Sequence, residues 1–183
     1  MRYMLLSLCL LVSASVFAQS EVTIQQALKP FDPVRGFTVD FILDGQVNGN
    51  ITVKGSCYRV SSDQAIVFGD QTTKYTYIPA NNEVMIDAVD TSAMSPVEIF
   101  SYSESASYNE LGTHNIGGNS CRAVGVGDLD AVIYIFEGRV VALKLGQGAD
   151  SHIIEVATPQ NNNLPNVIFN ADNYHDIEII DFR

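Results

Sequence analysis

Between residues 37 and 89, hydrophobic and polar residues alternate with a period of two, and turn residues break the pattern about every 8–12 positions. A period of two is the signature of a half-buried strand, because successive side chains leave opposite faces of the pleat. FTVDFIL (37–43) places Phe37, Val39, Phe41 and Leu43 on one face, and QVNGNITVK (46–54) sets Val47, Ile51 and Val53 against Asn48, Asn50, Thr52 and Lys54. The rhythm continues through CYRVSS (57–62), QAIVF (64–68), TKYTYIP (73–79) and EVMIDAV (83–89). None of the breaks between them can hold the crossover helix that parallel strands require, so sequence neighbours are expected to pair antiparallel.

Alternation stops at MSPVEIFSYSESASY (94–108), where Ser95, Pro96 and Glu98 form a capping-box pattern for a short helix. A second short helix is predicted over EVTIQQALK (21–29), with Pro30 as its stop. Strands resume at SCRAVGV (120–126), AVIYIF (131–136), RVVALKL (139–145), SHIIEVA (151–157) and IEIIDF (177–182). The count is about eleven strands and two short helices, a mainly β (α+β) chain read as one long meander. So many strands in one sheet curl, and the expected fold is a strongly curved antiparallel sheet or unclosed β-barrel. In AVIYIF and RVVALKL both faces are apolar, so the inward side chains are not defined by pattern there.

Residues 1–18 read as a secretory leader, with Arg2 before the apolar run 4–14 and Val16-Phe17-Ala18 as the cleavage site. Residues 19–183 are then a single domain, expected to be exported to an oxidising compartment. The whole chain carries 10 Lys and Arg against 21 Asp and Glu, and loss of Arg2 with the leader takes the net charge from −11 to −12. That balance repels phosphate backbones and anionic headgroups, which argues against nucleic-acid binding and against resting on a membrane. Hydrophobic residues make up 46% of the chain, enough for a sizeable core.

Catalytic and metal signals are absent from the pattern. His114, His152 and His175 stand far apart, Asp87, Asp90, Asp128 and Asp130 lie beside turns where Asp satisfies its own backbone, and no phosphate cradle or nucleophile elbow appears. The reading is a non-enzyme without cofactor or metal. Cys57 and Cys121 remain after the leader, an even number that permits one disulfide in an oxidising compartment; they sit on strands that are not sequence neighbours.

Three stretches together, NGNITVKGSCYRV (48–60), GDQTTKYTYIPANNEVMI (69–86) and NVIFNADNYHDIEIIDFR (166–183), resemble the periplasmic outer-membrane lipoprotein carrier family (LolA/LolB-like) in order and spacing. Departures are Tyr75 for the family's Trp, Gly69-Asp70 for its Asp-Gly turn, and Gly55-Ser56 where an Arg-Pro commonly holds the lid; Lys54 and Arg59 are the nearest substitutes. The resemblance implies a curved sheet lidded by the two helices, with an apolar hollow that shelters lipoprotein acyl chains and hands them from an inner-membrane exporter to an outer-membrane receptor. On that reading Phe37, Val39, Phe41, Val47, Ile51, Val53, Tyr58, Val60, Phe68, Tyr75, Tyr77, Val84 and Ile86 line the hollow, and Ile99, Phe100 and Tyr102 form the lid.

Each buried CH₂ is worth about 0.8 kcal/mol, so a chain of roughly a dozen carbons carries on the order of 10 kcal/mol and does not cross water bare. A monomeric carrier meets that need. The alternatives are a non-catalytic binding or scaffold domain for another hydrophobic ligand or partner, and an envelope protein whose apolar faces are simply a packed core.

Overall fold

A computed structural model describes residues 23–89, 107–127 and 130–183. The leader and the lid residues Ile99, Phe100 and Tyr102 lie outside the described residues. Helix α1 spans Ile24–Leu28 and begins at a reciprocal cap: the Gln26 N–H donates to Thr23 Oγ1 at 3.2 Å, and the Thr23 N–H donates to Gln26 Oε1 at 2.9 Å. Pro30 does not stop the chain outright but sits in a 3₁₀ turn, Lys29–Phe31, that follows directly.

Among the described residues twelve strands follow: β1 Phe37–Leu43, β2 Val47–Lys54, β3 Cys57–Ser62, β4 Ile66–Gly69, β5 Thr73–Ile78, β6 Glu83–Ala88, β7 Tyr108–Ile116, β8 Asn119–Val126, β9 Ala131–Phe136, β10 Arg139–Leu145, β11 His152–Val156 and β12 Glu178–Asp181. They form one sheet in the order β12-β6-β5-β4-β3-β2-β1-β11-β10-β9-β8-β7. Its ends, β12 and β7, do not pair with each other, so the barrel is unclosed. The order corrects the single meander expected from sequence. Two meanders, β1–β6 and β7–β11, meet at a seam where β1 pairs antiparallel with β11, and β12 returns to pair parallel with β6.

Strand β7 is the one the pattern missed. It is a sheet edge exposed over most of its length, with a register shift between Glu110 and Thr113, so it has no buried face to imprint alternation.

Register divides the side chains between two faces. The inner face, on which α1 packs, joins Phe37, Val39, Phe41, Ile51, Val53 and Tyr58 to Val124, Ile133, Ile135, Val140 and Leu143, with Ile24, Leu28 and Phe31 above them. The outer face of β1–β2 is polar as expected, yet Thr52 is fully buried there; Thr38 Oγ1 lies 3.0 Å from its hydroxyl, which donates to Asn50 Oδ1 at 3.2 Å. A separate outer cluster gathers Cys121, Ala123, Tyr134 and Ala142.

Candidate functional site

The inner face takes its apolar character from strand register. Phe37 stands opposite Val53, Val39 opposite Ile51 and Leu43 opposite Val47 on β1–β2, and Val53 and Ile51 continue to Tyr58 and Val60 on β3. Eight of the predicted lining residues, Phe41 included, therefore share one face. Burial pushes the Tyr58 phenol above its ordinary value, and the nearby Asp70 carboxylate adds to the shift, so the ring is a neutral wall at any physiological pH.

The other five predicted lining residues are elsewhere. Tyr58 and Val60 pair with Gly69 and Val67, so Phe68 of β4 points to the outer face with its partner Tyr75, and Tyr77, Val84 and Ile86 follow by register. The C-terminal stretch covers them. Phe169 stacks on Tyr75 at 4.7 Å between ring centroids and meets Phe68 edge-on at 5.8 Å, while Tyr174 lies 4.4 Å from Tyr77. Asn82 holds that stretch down, its amide donating to the carbonyls of His175 at 3.0 Å and Asp176 at 2.9 Å. Phe68, Tyr75, Tyr77, Val84 and Ile86 thus belong to an outer core.

An ion pair stands at each side of the apolar lining. On β5–β6, Lys74 and Asp87 are register partners on the inner face with Nζ and Oδ2 3.6 Å apart. On β7–β8, Arg122 Nε donates to both Glu110 carboxylate oxygens at 3.2 and 3.1 Å, and these hydrogen bonds hold the Glu110 carboxyl below its usual range. Between them, from β3 to β9, the lining is hydrocarbon apart from the Tyr58 phenol and, at the end near the β1–β2 turn, Ser62 and the exposed His152.

A crevice of about 210 Å³ opens under α1. Ala27, Pro30 and Phe31 form one wall, Gly138, Arg139, Val140 and Val141 another, and Val156 to Pro159 the third. The hairpin wall depends on a two-residue turn in which Glu137 and Gly138 both adopt positive φ, 48° and 74°, as a tight β9–β10 connection demands. Arg139 is the charged member of the lining. The volume lies below the ~300–1,000 Å³ of pockets that bury most of a drug-sized ligand.

Sequence reasoning missed the whole second-meander half of this face. Alternation is present in AVIYIF, where Ala131, Ile133 and Ile135 turn inward, but Val132, Tyr134 and Phe136 are equally apolar and pack in or against the outer cluster. Cys57 and Cys121 are both free thiols, on β3 and β8 with five strands between them in the sheet, so the structure does not bring together the pair considered as a disulfide. Burial raises the Cys121 thiol above its ordinary value. No described helix is long and apolar enough to cross a membrane.

No protein-family model matches the sequence, and no curated protein does. Solved structures do match. An uncharacterized conserved protein from Thermus thermophilus superposes with a TM-score of 0.53 at 9% identity, over 85% of this chain and 94% of its own. The likeness is one of fold. A LolA superfamily protein from Nitrosomonas europaea gives 0.46 at 10% identity over 81% and 96% of the two chains, and the Mycobacterium tuberculosis lipoprotein LppX gives 0.45 at 12% over 79% and 96%.

Proposed function

We propose that this protein is a periplasmic carrier that takes up lipoprotein acyl chains against its inner face and releases them towards the outer membrane. Residues 1–18 act as the export leader and 19–183 as a single, monomeric, non-catalytic domain that needs no cofactor. The observation that carries the reading is an apolar face spanning both meanders, flanked by the Lys74–Asp87 and Glu110–Arg122 pairs and roofed by a helix of five residues. Ion pairs at the borders confine a hydrocarbon ligand to the strip between them, since a charged group strongly resists burial beside an alkyl chain.

The crevice of about 210 Å³ is the point of entry, and a long chain is admitted by lifting α1 off β10. Ile24, Ala27 and Leu28 occupy the strip when the carrier is empty and compete with the ligand. That competition lowers net affinity, which a carrier requires in order to unload. An inner-membrane exporter would load it and an outer-membrane receptor would accept the cargo.

Mass spectrometry of protein purified from the periplasm tests the reading. A co-purified acylated species, together with release of lipoproteins from spheroplasts, supports it; protein free of lipid that releases none overturns it. The crevice size favours a second reading, a binding domain for a smaller hydrophobic molecule, and recovery of a compact apolar ligand in place of long acyl chains would select that one.

A further inference from the structure

The net charge of −11 is not spread evenly. At one end of the strands lie the turns holding Asp44, Asp63, Asp130 and Asp150, with Glu83 beside the β5–β6 turn and Asp176 and Glu178 leading into β12; none of the described residues of these turns is Lys or Arg. The opposite end carries Lys29, Arg35, Lys54 and Arg139, all exposed, around the mouth of the α1 crevice.

Backbone contacts gather these four. The Gly55 N–H, next to Lys54, donates to the Pro33 carbonyl at 2.7 Å, and the Asn161 amide donates to the carbonyls of Pro30 at 3.3 Å and Gly36 at 2.8 Å, tying the residues after Lys29 to those around Arg35. Pro30 and Arg139 line the same crevice. The acids at this end are Asp32, 3.7 Å from Arg35, Glu137, 3.9 Å from Arg139, and Asp70 in the β4–β5 turn, while Asp87 and Asp181 are paired with Lys74 and Arg183, so the four rim cations face three acids. At its tip stands Val34, 88% exposed.

We propose that this rim docks on an anionic phospholipid surface, Val34 dipping into the headgroup layer while Lys29, Arg35 and Lys54 meet lipid phosphates. Opposite charge selects the surface, and the acidic far end is turned away from it. A single apolar side chain ringed by cations fits an interfacial anchor; a stable protein partner would need ~1,000 Å² or more with an apolar centre, which one valine does not provide. Its purpose rests on the carrier reading, since docking would set the crevice mouth against the bilayer that supplies or accepts an acyl chain.

The test is co-sedimentation of the processed chain, its N-terminus verified, with vesicles of equal parts phosphatidylglycerol and phosphatidylcholine, and with phosphatidylcholine alone. Binding confined to the anionic vesicles and weakened by salt is expected, with Lys29→Glu weakening it by about tenfold, Val34→Asp by about fivefold, and Lys144→Glu, the same charge change away from the rim, by less than about twofold. Absence of binding, equal binding to neutral vesicles, or equal loss in Lys144→Glu overturns the proposal. All three variants are required to melt with the wild type; if Lys29→Glu does not, Arg35→Glu replaces it. Uptake of a fluorescent fatty acid without vesicles reads the carrier function separately: docking without uptake overturns only the carrier reading, and uptake without docking overturns only this one.

Discussion

The ring of Tyr58 occupies the space above its cross-strand partner Gly69, where a Cβ would overlap the ring carbons and the hydroxyl. Phe41 does the same over Gly49 one hairpin away. Each aromatic covers the bare backbone of a glycine, so the inner face stays continuous across strands whose own residue there has no side chain. Gly69→Ala and Gly49→Ala are expected to destabilise the fold by about 1–3 kcal/mol each through overpacking. Urea unfolding measures this, and combining Gly49→Ala with Phe41→Leu should cost less than the sum of the two, because the smaller side chain relieves the same clash.

Phe31 is 1% exposed, meets Phe37 edge-on at 5.4 Å and forms a wall of the crevice. Phe31→Ala should lower stability by about 3–5 kcal/mol and enlarge the crevice. On the carrier reading the same variant binds a fluorescent acyl probe several-fold more tightly, and saturating probe restores part of its lost melting temperature by mass action. Unchanged or weaker probe binding in a variant that is still folded would count against α1 and its 3₁₀ turn as the roof of the site.

The division of the predicted lining between two faces is open to direct test. Phe169 touches the rings of Phe68, Tyr75 and Tyr174, with aromatic pairs contributing about 0.5–1.5 kcal/mol each beyond area. Phe169→Ala is expected to cost about 3 kcal/mol and to open the 158–177 stretch to limited proteolysis. Acyl-probe affinity should not change in this variant or in Tyr75→Ala. If either loses probe binding while remaining folded, those aromatics contact the ligand after all.

Strand existence was legible because alternation records which residues of one strand share a face. Which face of one strand continues into the next is a different matter. Tyr58 and Phe68 lie on neighbouring strands yet point to opposite faces, because Tyr58 pairs with Gly69 and Phe68 with Arg59. One residue of register moves a whole apolar set to the other side, and nothing in QAIVF, apolar on both faces, marks the shift. The outer aromatics also depend on Phe169 and Tyr174, about a hundred residues downstream, whose cover no local pattern announces. The β1–β11 seam was hidden for the same reason, since its partners are far apart in sequence and its register spans only Phe41 to Leu43.

Asp70 anchors the β4–β5 turn. Its Oδ1 accepts from the Thr72 N–H at 2.7 Å, the Thr73 N–H at 2.8 Å and the Thr72 hydroxyl at 2.9 Å, and the two backbone bonds hold its carboxyl below the usual value of 3.8. A carboxyl with a depressed folded-state value stabilises the fold above its unfolded value, and that contribution is lost as pH falls through the folded one. Asp70→Ala should therefore cost about 1 kcal/mol at neutral pH, where the turn loses its acceptor. It should also flatten the loss of stability below about pH 4, because the variant has no carboxylate there to protonate. Urea midpoints for both proteins from neutral pH down to about pH 3 decide it: wild type and variant should converge on acidification, and curves that stay parallel would mean that the turn is held by its backbone alone.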